Sequence, residues 1–307
     1  MAGEDAQQGH FGAKRLSKLH KREKKTEDGA CLTGHQASYS KKTAGKQVSC
    51  NYRYQAHEQA KAESSIKSRL HGYPTNRTAA IRTALKVAPP RYSTSIAPPR
   101  KGDWDLDGPT SGPIVRKNKA GRKVTIPVTM NFSQDTWPYW NNAHHLIPKG
   151  TLKDVIVSNK PAVISNMIQQ GLLDAKYNVN HKKNMLMIPQ DREVADLLDM
   201  PRHIQLKEGD DPNISAQVFN HPEYNDMVEV GLKKIIRAYT KTADNAYKNK
   251  TGHAIPNITL SKARLVKLSG SLLTLVLSWG SGVSLDSKAN VILKKATAAI
   301  LKLLGVK

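Results

Sequence analysis

A proline-rich stretch near residue 100 limits how this chain can fold. Its sequence, APPRYSTSIAPPRKG at residues 88–102, contains four prolines. Proline cannot continue a helix or a central strand, and it pushes the preceding residue toward extended backbone. Residues 1–50 have almost no aliphatic side chains to offset the entropy of ordering. We therefore predict three parts: a basic, partly disordered N-terminal region at 1–100 that ends in this linker, a central domain at 103–250, and a basic, helical C-terminal extension at 251–307 packed on that domain.

Positive charge is concentrated at the two ends of the chain. The net charge is +23, from 48 Lys and Arg against 25 Asp and Glu. Residues 1–100 contribute +12 and residues 241–307 contribute +9, whereas residues 144–240 sum to zero. An excess of this size favours a polyanionic partner, with nucleic acid first and an anionic membrane surface second. The alternative is that these lysines only solvate helix faces.

Neither a secretory signal nor a membrane span is predicted. The first fifteen residues include acids and no apolar core segment. The longest apolar stretch, LLTLVLSW at residues 272–279, is far shorter than the roughly 20 residues that a spanning helix needs. Export would therefore need a route without a signal peptide. Cys31 and Cys50 form no C-x-x-C pair, which favours two reduced thiols over a disulfide or a cysteine zinc site.

Periodic patterns predict a hairpin and a helix around the middle of the chain. IVRKNKAGRKVTIPVTM at residues 114–130 alternates apolar and polar residues on either side of a Lys-Asn-Lys-Ala-Gly turn, which is typical of a β-hairpin. Further on, Ser158 or Asn159 can cap a helix whose apolar stripe ends near Gly171.

Two more helices are predicted toward the C-terminus. Asn220 and Glu223 have the spacing of a capping box at the start of the first one. The apolar face of this helix consists of Tyr224, Val228, Leu232, Ile235 and Tyr239. A last amphipathic helix is predicted at 287–304, closed by Gly305.

Two adjacent histidines, His144 and His145, lie in WNNAHHLIPKG. Such a pair is more often structural than functional, but polar residues downstream change the interpretation. Asn184 precedes a second apolar run that ends in Pro189, and His221 falls in the first turn of a predicted helix. A strand-borne His pair, a loop Asn and a helix-borne His are the parts of a small one-metal hydrolytic site.

These residue types suit the hydrolysis of a phosphodiester. The reaction needs a deprotonated water and a cation that neutralises charge on the phosphoryl group. A neutral imidazole, with a pKa near 6.5, can take the proton from water at physiological pH. Other imidazoles can hold one divalent ion and leave positions open for phosphate oxygen and water.

The ordered motifs NAHHLIP, N-x-L-x-I-P and H-P-E-Y-N carry a family resemblance. Together they resemble the AHH nucleases of the HNH and endonuclease VII superfamily, over about residues 140 to 240. The resemblance implies an α+β fold with a ββα-metal (His-Me finger) core and mostly helical additions. Met185 departs from the family pattern, which often has Gly after the central asparagine.

The resemblance also implies roles for individual residues. His145 would be the general base, with Asn184 orienting it, and His144 and His221 would be metal ligands. His203, Tyr224 and Asn225 would be support residues or additional site residues. The implied cofactor is one divalent ion, Mg²⁺ first, with Zn²⁺, Mn²⁺ or Ni²⁺ as alternatives. Because adjacent strand residues point to opposite faces, different roles for His144 and His145 predict a strand end or bend at the pair.

AHH domains resemble the C-terminal toxic domains of polymorphic toxins. By this analogy the chain is expected to be an antibacterial type VI secretion effector, made in the bacterial cytoplasm and acting in the cytoplasm of a target cell. Its expected partners are DNA, an acidic immunity protein, and a secretion-apparatus or chaperone component bound through residues 1–100. Two alternatives remain open: a zinc-stabilised nucleic-acid-binding protein without catalysis, and a mobile-element or DNA-processing endonuclease.

Overall fold

The structure is a computed structural model of the chain. It describes residues 29–33, 49–52, 55–56, 58–59, 114–117, 123–126, 141–189, 195, 199–203, 221–281 and 283–306. In chain order the elements are β1 (Ile114–Lys117), β2 (Lys123–Ile126), β3 (Asn141–His145), α1 (Lys149–Val157), α2 (Ala162–Asp174), β4 (Met185–Pro189), α3 (Pro222–Lys248), α4 (Ala263–Leu277), α5 (Leu285–Leu293) and α6 (Thr297–Leu303). This confirms a mixed fold, in which helices dominate and the described strands form two small antiparallel sheets.

The two sheets are separate antiparallel pairs. β1 pairs with β2, as the sequence predicts for residues 114–130. β3 pairs with β4, and Asn141 lies opposite Pro189 while His145 lies opposite Met185. β3 ends at His145, so the predicted strand end at the histidine pair is observed.

The residues between β3 and β4 form two helices where the sequence predicted one. The predicted cap is wrong, because Ser158 ends α1 and donates its backbone N–H to the carbonyl of Asp154 at 2.8 Å. Asn159 has a φ of 56°, a left-handed conformation that asparagine tolerates and that ends helices. α2 then starts after Pro161.

The long helix α3 is the centre of the packing. α1, α2, α4, α5 and α6 all contact it. Its predicted apolar face is buried, as Tyr224, Val228, Leu232, Ile235 and Tyr239 show.

The start of α3 differs from the prediction. His221 precedes the helix without a side-chain cap, and Asn220, the predicted cap, lies outside the described residues. The carboxylate of Asp286 in α5 instead accepts the backbone N–H of Tyr224 at 3.0 Å. Another helix therefore supplies the cap of α3.

The predicted helix at 287–304 is two helices. α5 begins with a capping box between Ser284 and Ser287, and α6 ends before Gly305, whose φ is 65°. Because the helix breaks between α5 and α6, each of these helices contacts α3. Ile292 in α5 and Ile300 in α6 are both buried. No described helix has the combination of length and apolar character needed to cross a membrane.

Parts of residues 1–100 belong to the core. We call residues 29–33 and 49–52 the N-terminal strap. Cys31 donates its backbone N–H to the carbonyl of Tyr177 at 3.0 Å and accepts the N–H of Val179 at 2.8 Å. Cys31 and Cys50 are reduced thiols, as predicted, and both are buried. The predicted boundary near residue 100 therefore does not separate the strap from the core, and the linker at 88–102 lies outside the described residues.

Candidate metal centre

Three histidines converge from distant parts of the chain. The ligating nitrogens of His144, His203 and His221 all lie within 4.8 Å of one another. Their ring centroids are 5.2 Å apart for His144 and His203, and 4.9 Å apart for each of the other two pairs. Three imidazoles at this spacing can hold one metal ion.

Each histidine is placed by a different element. His144 is in β3, one residue before the strand ends. His203 reaches the site because its backbone N–H donates to the carbonyl of Pro189, at the end of β4, at 3.1 Å. His221 precedes the first turn of α3. The sheet of β3 and β4 and the start of α3 therefore define the centre.

Burial keeps these imidazoles neutral. His144 and His203 are only 2% and 4% exposed. Burial lowers the pKa of His144 well below its usual range, and the neighbouring His221 and His203 lower that pKa further. The pKa of His203 is lowered by burial and by His221. Burial also lowers the pKa of His221, although its own backbone and the Asn225 amide oppose this. Neutral imidazoles have the lone pairs that a metal requires.

Buried ring nitrogens in the cluster lack hydrogen bonds to the described residues. In the described part of the chain, His144 Nε2 and His203 Nδ1 are buried and without a hydrogen-bond partner. A buried polar atom left in this state costs about 1–3 kcal/mol. Coordination to a cation would satisfy both atoms, so the three residues fit a metal ion.

The donor set does not fit the metal that the sequence analysis placed first. Among the described residues, no carboxylate or thiol joins the three imidazoles. Mg²⁺ prefers oxygen ligands, whereas imidazole suits Zn²⁺, Ni²⁺ and related transition metals. The chemistry of the cluster therefore favours a transition metal over Mg²⁺.

Tyr224 and Asn225, for which the family resemblance implies a support role, lie beside the three histidines. The Tyr224 hydroxyl donates to the carbonyl of Leu146 at 2.8 Å, and its ring centroid lies 4.9 Å from that of His144. Tyr224 thus connects α3 to the end of β3. Asn225 donates its backbone N–H to the carbonyl of His221 at 3.1 Å. This hydrogen bond forms the first turn of α3, directly after His221.

His145 lies beside the cluster and is not part of it. Its Nε2 is 2.9 Å from Oδ1 of Asn180, and its ring centroid is 5.3 Å from that of Tyr52 in the strap. Burial lowers the pKa of His145 to about 4; the Asn180 contact opposes this shift, and Lys149 adds to it. His145 is therefore neutral at pH 7, with one ring nitrogen unprotonated.

The side chain of Asn184 has no hydrogen bond to His145 in the described structure, in contrast to the orienting role that the family resemblance implies. Its Oδ1 accepts the N–H of Ile147 and the hydroxyl of Ser269, each at 2.8 Å, and its Nδ2 donates to the carbonyl of Val179 at 2.7 Å. Asn184 therefore joins the loop after β3 to the loop before β4. The side chain that binds His145 is Asn180, which the sequence analysis missed.

Comparisons of the chain with models of protein families, with curated proteins and with solved structures found no match. The resemblance to AHH nucleases stays a prediction that rests on three sequence motifs. The function is therefore inferred from the chemistry of the site.

Acid is expected to destabilise the metal-free protein through its buried histidines. The folded-state pKa of His145 lies below the unfolded value, so its contribution is present above pH 6.5 and is lost as the pH falls toward about 4. One pKa unit corresponds to about 1.4 kcal/mol of folding stability. This is an upper bound for His145, because the residue is partly exposed. Denaturant unfolding should show a steeper loss of stability below pH 6.5 in the wild type than in His145→Gln. Parallel stability curves for the two proteins would contradict this prediction.

Proposed function

We propose that the chain is a metal-dependent endonuclease with a one-metal site. The observation that carries this proposal is the division of the histidine pair. His144 belongs to a buried three-imidazole cluster, whereas His145 lies next to that cluster with a hydrogen-bond partner of its own. A cation site beside a neutral imidazole is an arrangement that suits the hydrolysis of a phosphodiester.

Each group has a defined task in this proposal. His144, His203 and His221 would hold the ion, which would supply positive charge for the phosphoryl group when bound. His145 accepts a proton from water, and the water oxygen bonds to phosphorus while the P–O bond to the leaving strand breaks and the leaving oxygen takes a proton from solvent. Tyr224 and Asn184 keep the end of β3 in position through their hydrogen bonds to residues 146 and 147. We infer Zn²⁺ or Ni²⁺, with Mn²⁺ next, from the nitrogen donors.

The substrate class follows from charge. The net charge is +23, and two clefts beside α4 are lined by basic residues. One cleft, of about 210 Å³, lies between α4 and the loop before β4 and includes Lys176, Lys183 and Lys262. The other, of about 260 Å³, is lined by residues that include Lys234, Arg264 and Lys267. Positive side chains around a concave surface attract the phosphates of nucleic acid, so we propose DNA as the substrate.

The cleft that contains Lys176, Lys183 and Lys262 yields a binding prediction. Replacing all three lysines with alanine should weaken binding of a short DNA duplex about tenfold at about 0.1 M salt, and should reduce the salt dependence of log Kd by about two to three units of slope. Fluorescence anisotropy on metal-free protein measures both quantities without cleavage. The matched control replaces Lys294, Lys295 and Lys302, which removes the same charge elsewhere. Equal losses in the two triple variants would mean that binding is not localised to this cleft.

Plasmid cleavage tests the proposed activity. Purified full-length protein is incubated with supercoiled plasmid and with Zn²⁺, Ni²⁺, Mn²⁺ or Mg²⁺ in turn. We expect nicked and linear products with at least one transition metal and none after addition of a chelator. Plasmid that stays intact in every metal, although the protein binds DNA, would favour the zinc-stabilised binding protein instead.

The proposed biological role is that of an antibacterial type VI effector that acts in the target-cell cytoplasm. The supporting observations are the strong positive charge, which suits an acidic immunity protein, and the motifs that resemble toxin domains. Expression in a bacterial host should arrest growth, and co-expression of a neighbouring gene for an acidic protein should restore it. Growth that is unaffected by an active nuclease would favour the mobile-element or DNA-processing alternative.

A further inference from the structure

The side chain of Asn180 connects the N-terminal strap to His145. Asn180 is completely buried, and both ends of its amide have partners. Oδ1 lies 2.9 Å from Nε2 of His145, while Nδ2 donates to the carbonyl of Thr33 at 2.8 Å. Nδ2 also lies 3.5 Å from the sulfur of Cys31. Residues more than a hundred positions apart in the sequence thus form one hydrogen-bonded chain that ends at the imidazole.

The strap determines which end of the amide faces His145. The carbonyl of Thr33 can only accept hydrogen bonds, so the NH₂ group of Asn180 must point toward it. The thiol of Cys31 donates its own proton to the same carbonyl at 2.9 Å, so its sulfur can only accept from the NH₂ group of Asn180. This is consistent with the same orientation. Burial raises the pKa of Cys31, which keeps its S–H donor in place. The amide oxygen of Asn180 therefore faces His145.

We propose that Asn180, oriented by the carbonyl of Thr33, holds His145 in the tautomer that carries its proton on Nε2 and leaves the lone pair on Nδ1. An amide oxygen only accepts hydrogen bonds, so a neutral His145 has to supply the proton between the two atoms. Asn180 is a positioning residue, and the strap is part of the site. A role for Nδ1 in taking the proton from water rests on the proposed nuclease function. The assignment of the tautomer does not depend on that function.

A neighbouring asparagine gives a matched control. Asn178 is also buried, and its Nδ2 donates to the carbonyl of Ser49 in the strap at 2.7 Å. Its Oδ1 accepts the backbone N–H of Asn180 at 2.9 Å. Asn178 therefore connects the same loop to the strap, but its side chain has no hydrogen bond to His145 in the described structure.

Nitrogen NMR of labelled histidine reads the tautomer directly. Two-bond proton–nitrogen spectra of the full chain at pH 7, with and without Zn²⁺, distinguish a protonated from an unprotonated ring nitrogen. The signals of His145 are identified by their absence in His145→Gln. We expect Nε2 to be protonated and Nδ1 unprotonated in the wild type and in Asn178→Ala. Asn180→Ala should give a mixture of tautomers, whereas Asn180→Asp, which loses the donor to Thr33 but keeps an oxygen acceptor beside His145, should keep Nε2 protonated.

Several outcomes would overturn the proposal. Protonated Nδ1 in the wild type would do so without any variant, even if Asn180→Ala fails to fold. An unchanged Nε2–H tautomer in folded Asn180→Ala would also do so. Plasmid cleavage is measured separately from the tautomer. If His145 is the base, Asn180→Ala should cut plasmid about 10²-fold more slowly, and Asn180→Asp should recover part of the rate. If the wild type carries the proton on Nε2 and Asn180→Ala has mixed tautomers but cleaves at the wild-type rate, the tautomer assignment stands and its proposed link to cleavage is rejected.

Discussion

Replacement of His145 with glutamine is expected to slow plasmid cleavage by about 10³-fold while the protein still binds one metal ion. General bases contribute roughly 10²- to 10⁴-fold to enzymatic rates, and glutamine cannot accept a proton from water at neutral pH. The metal should remain because His145 is not among the three clustered imidazoles. Cleavage under single-turnover conditions and metal content of the same sample give the two readings. If His145→Gln cleaves at the wild-type rate, another group must activate water.

Replacement of His144 with alanine is expected to remove both metal binding and cleavage. Loss of one of three imidazoles leaves too few ligands for tight binding, and the His144 ring centroid lies 5.2 Å from that of His203 and 4.9 Å from that of His221. A metal at 100 times its Kd stabilises a protein by about 2.7 kcal/mol, so the wild type should melt at a higher temperature when Zn²⁺ is added. His144→Ala should melt at the same temperature with and without Zn²⁺.

The control for this variant is His253→Ala, which removes an exposed histidine outside the cluster. It should keep the full Zn²⁺-dependent rise in melting temperature. A rise of equal size in His144→Ala would place the metal elsewhere in the chain. Because His144 is buried, the metal-free melting temperature of the variant is measured as well, so that a general loss of stability is not mistaken for a loss of metal.

Local sequence patterns predict those residue positions that depend only on neighbouring residues in the chain. A strand end could be expected near His144 and His145 because Pro148 follows the pair closely. His221 could be placed at a helix start because an apolar face with helical spacing follows it. These are short-range signals, since strand and helix periodicity are properties of adjacent residues.

Long-range contacts were beyond the reach of the sequence. His203 joins the cluster through a backbone hydrogen bond to Pro189, and no pattern around MPRHIQL records that pairing. Asn184 and Asn180 are equally polar residues in one loop, and only the folded backbone decides which of them meets His145. The broken C-terminal helix has the same origin, because its two halves pack separately on α3.

The packing of the N-terminal strap could not be predicted from composition. Residues 1–50 are too poor in apolar side chains to fold alone, and this led to the prediction of a basic, partly disordered region. A short run, Ala30 to Leu32, is nevertheless completely buried against the loop before β4. A segment that cannot form a core by itself can still complete the core of another part of the chain.

Metal-edge X-ray absorption tests the central claim most directly, namely that His144, His203 and His221 bind one transition-metal ion beside a separate imidazole. The full-length protein is loaded with one equivalent of Zn²⁺, and the spectrum is compared with that of His145→Gln. We predict the same scattering in both proteins, from three imidazole nitrogens together with solvent oxygen. A sulfur shell, a shell of oxygen alone, or the loss of one imidazole in His145→Gln would contradict the assignment.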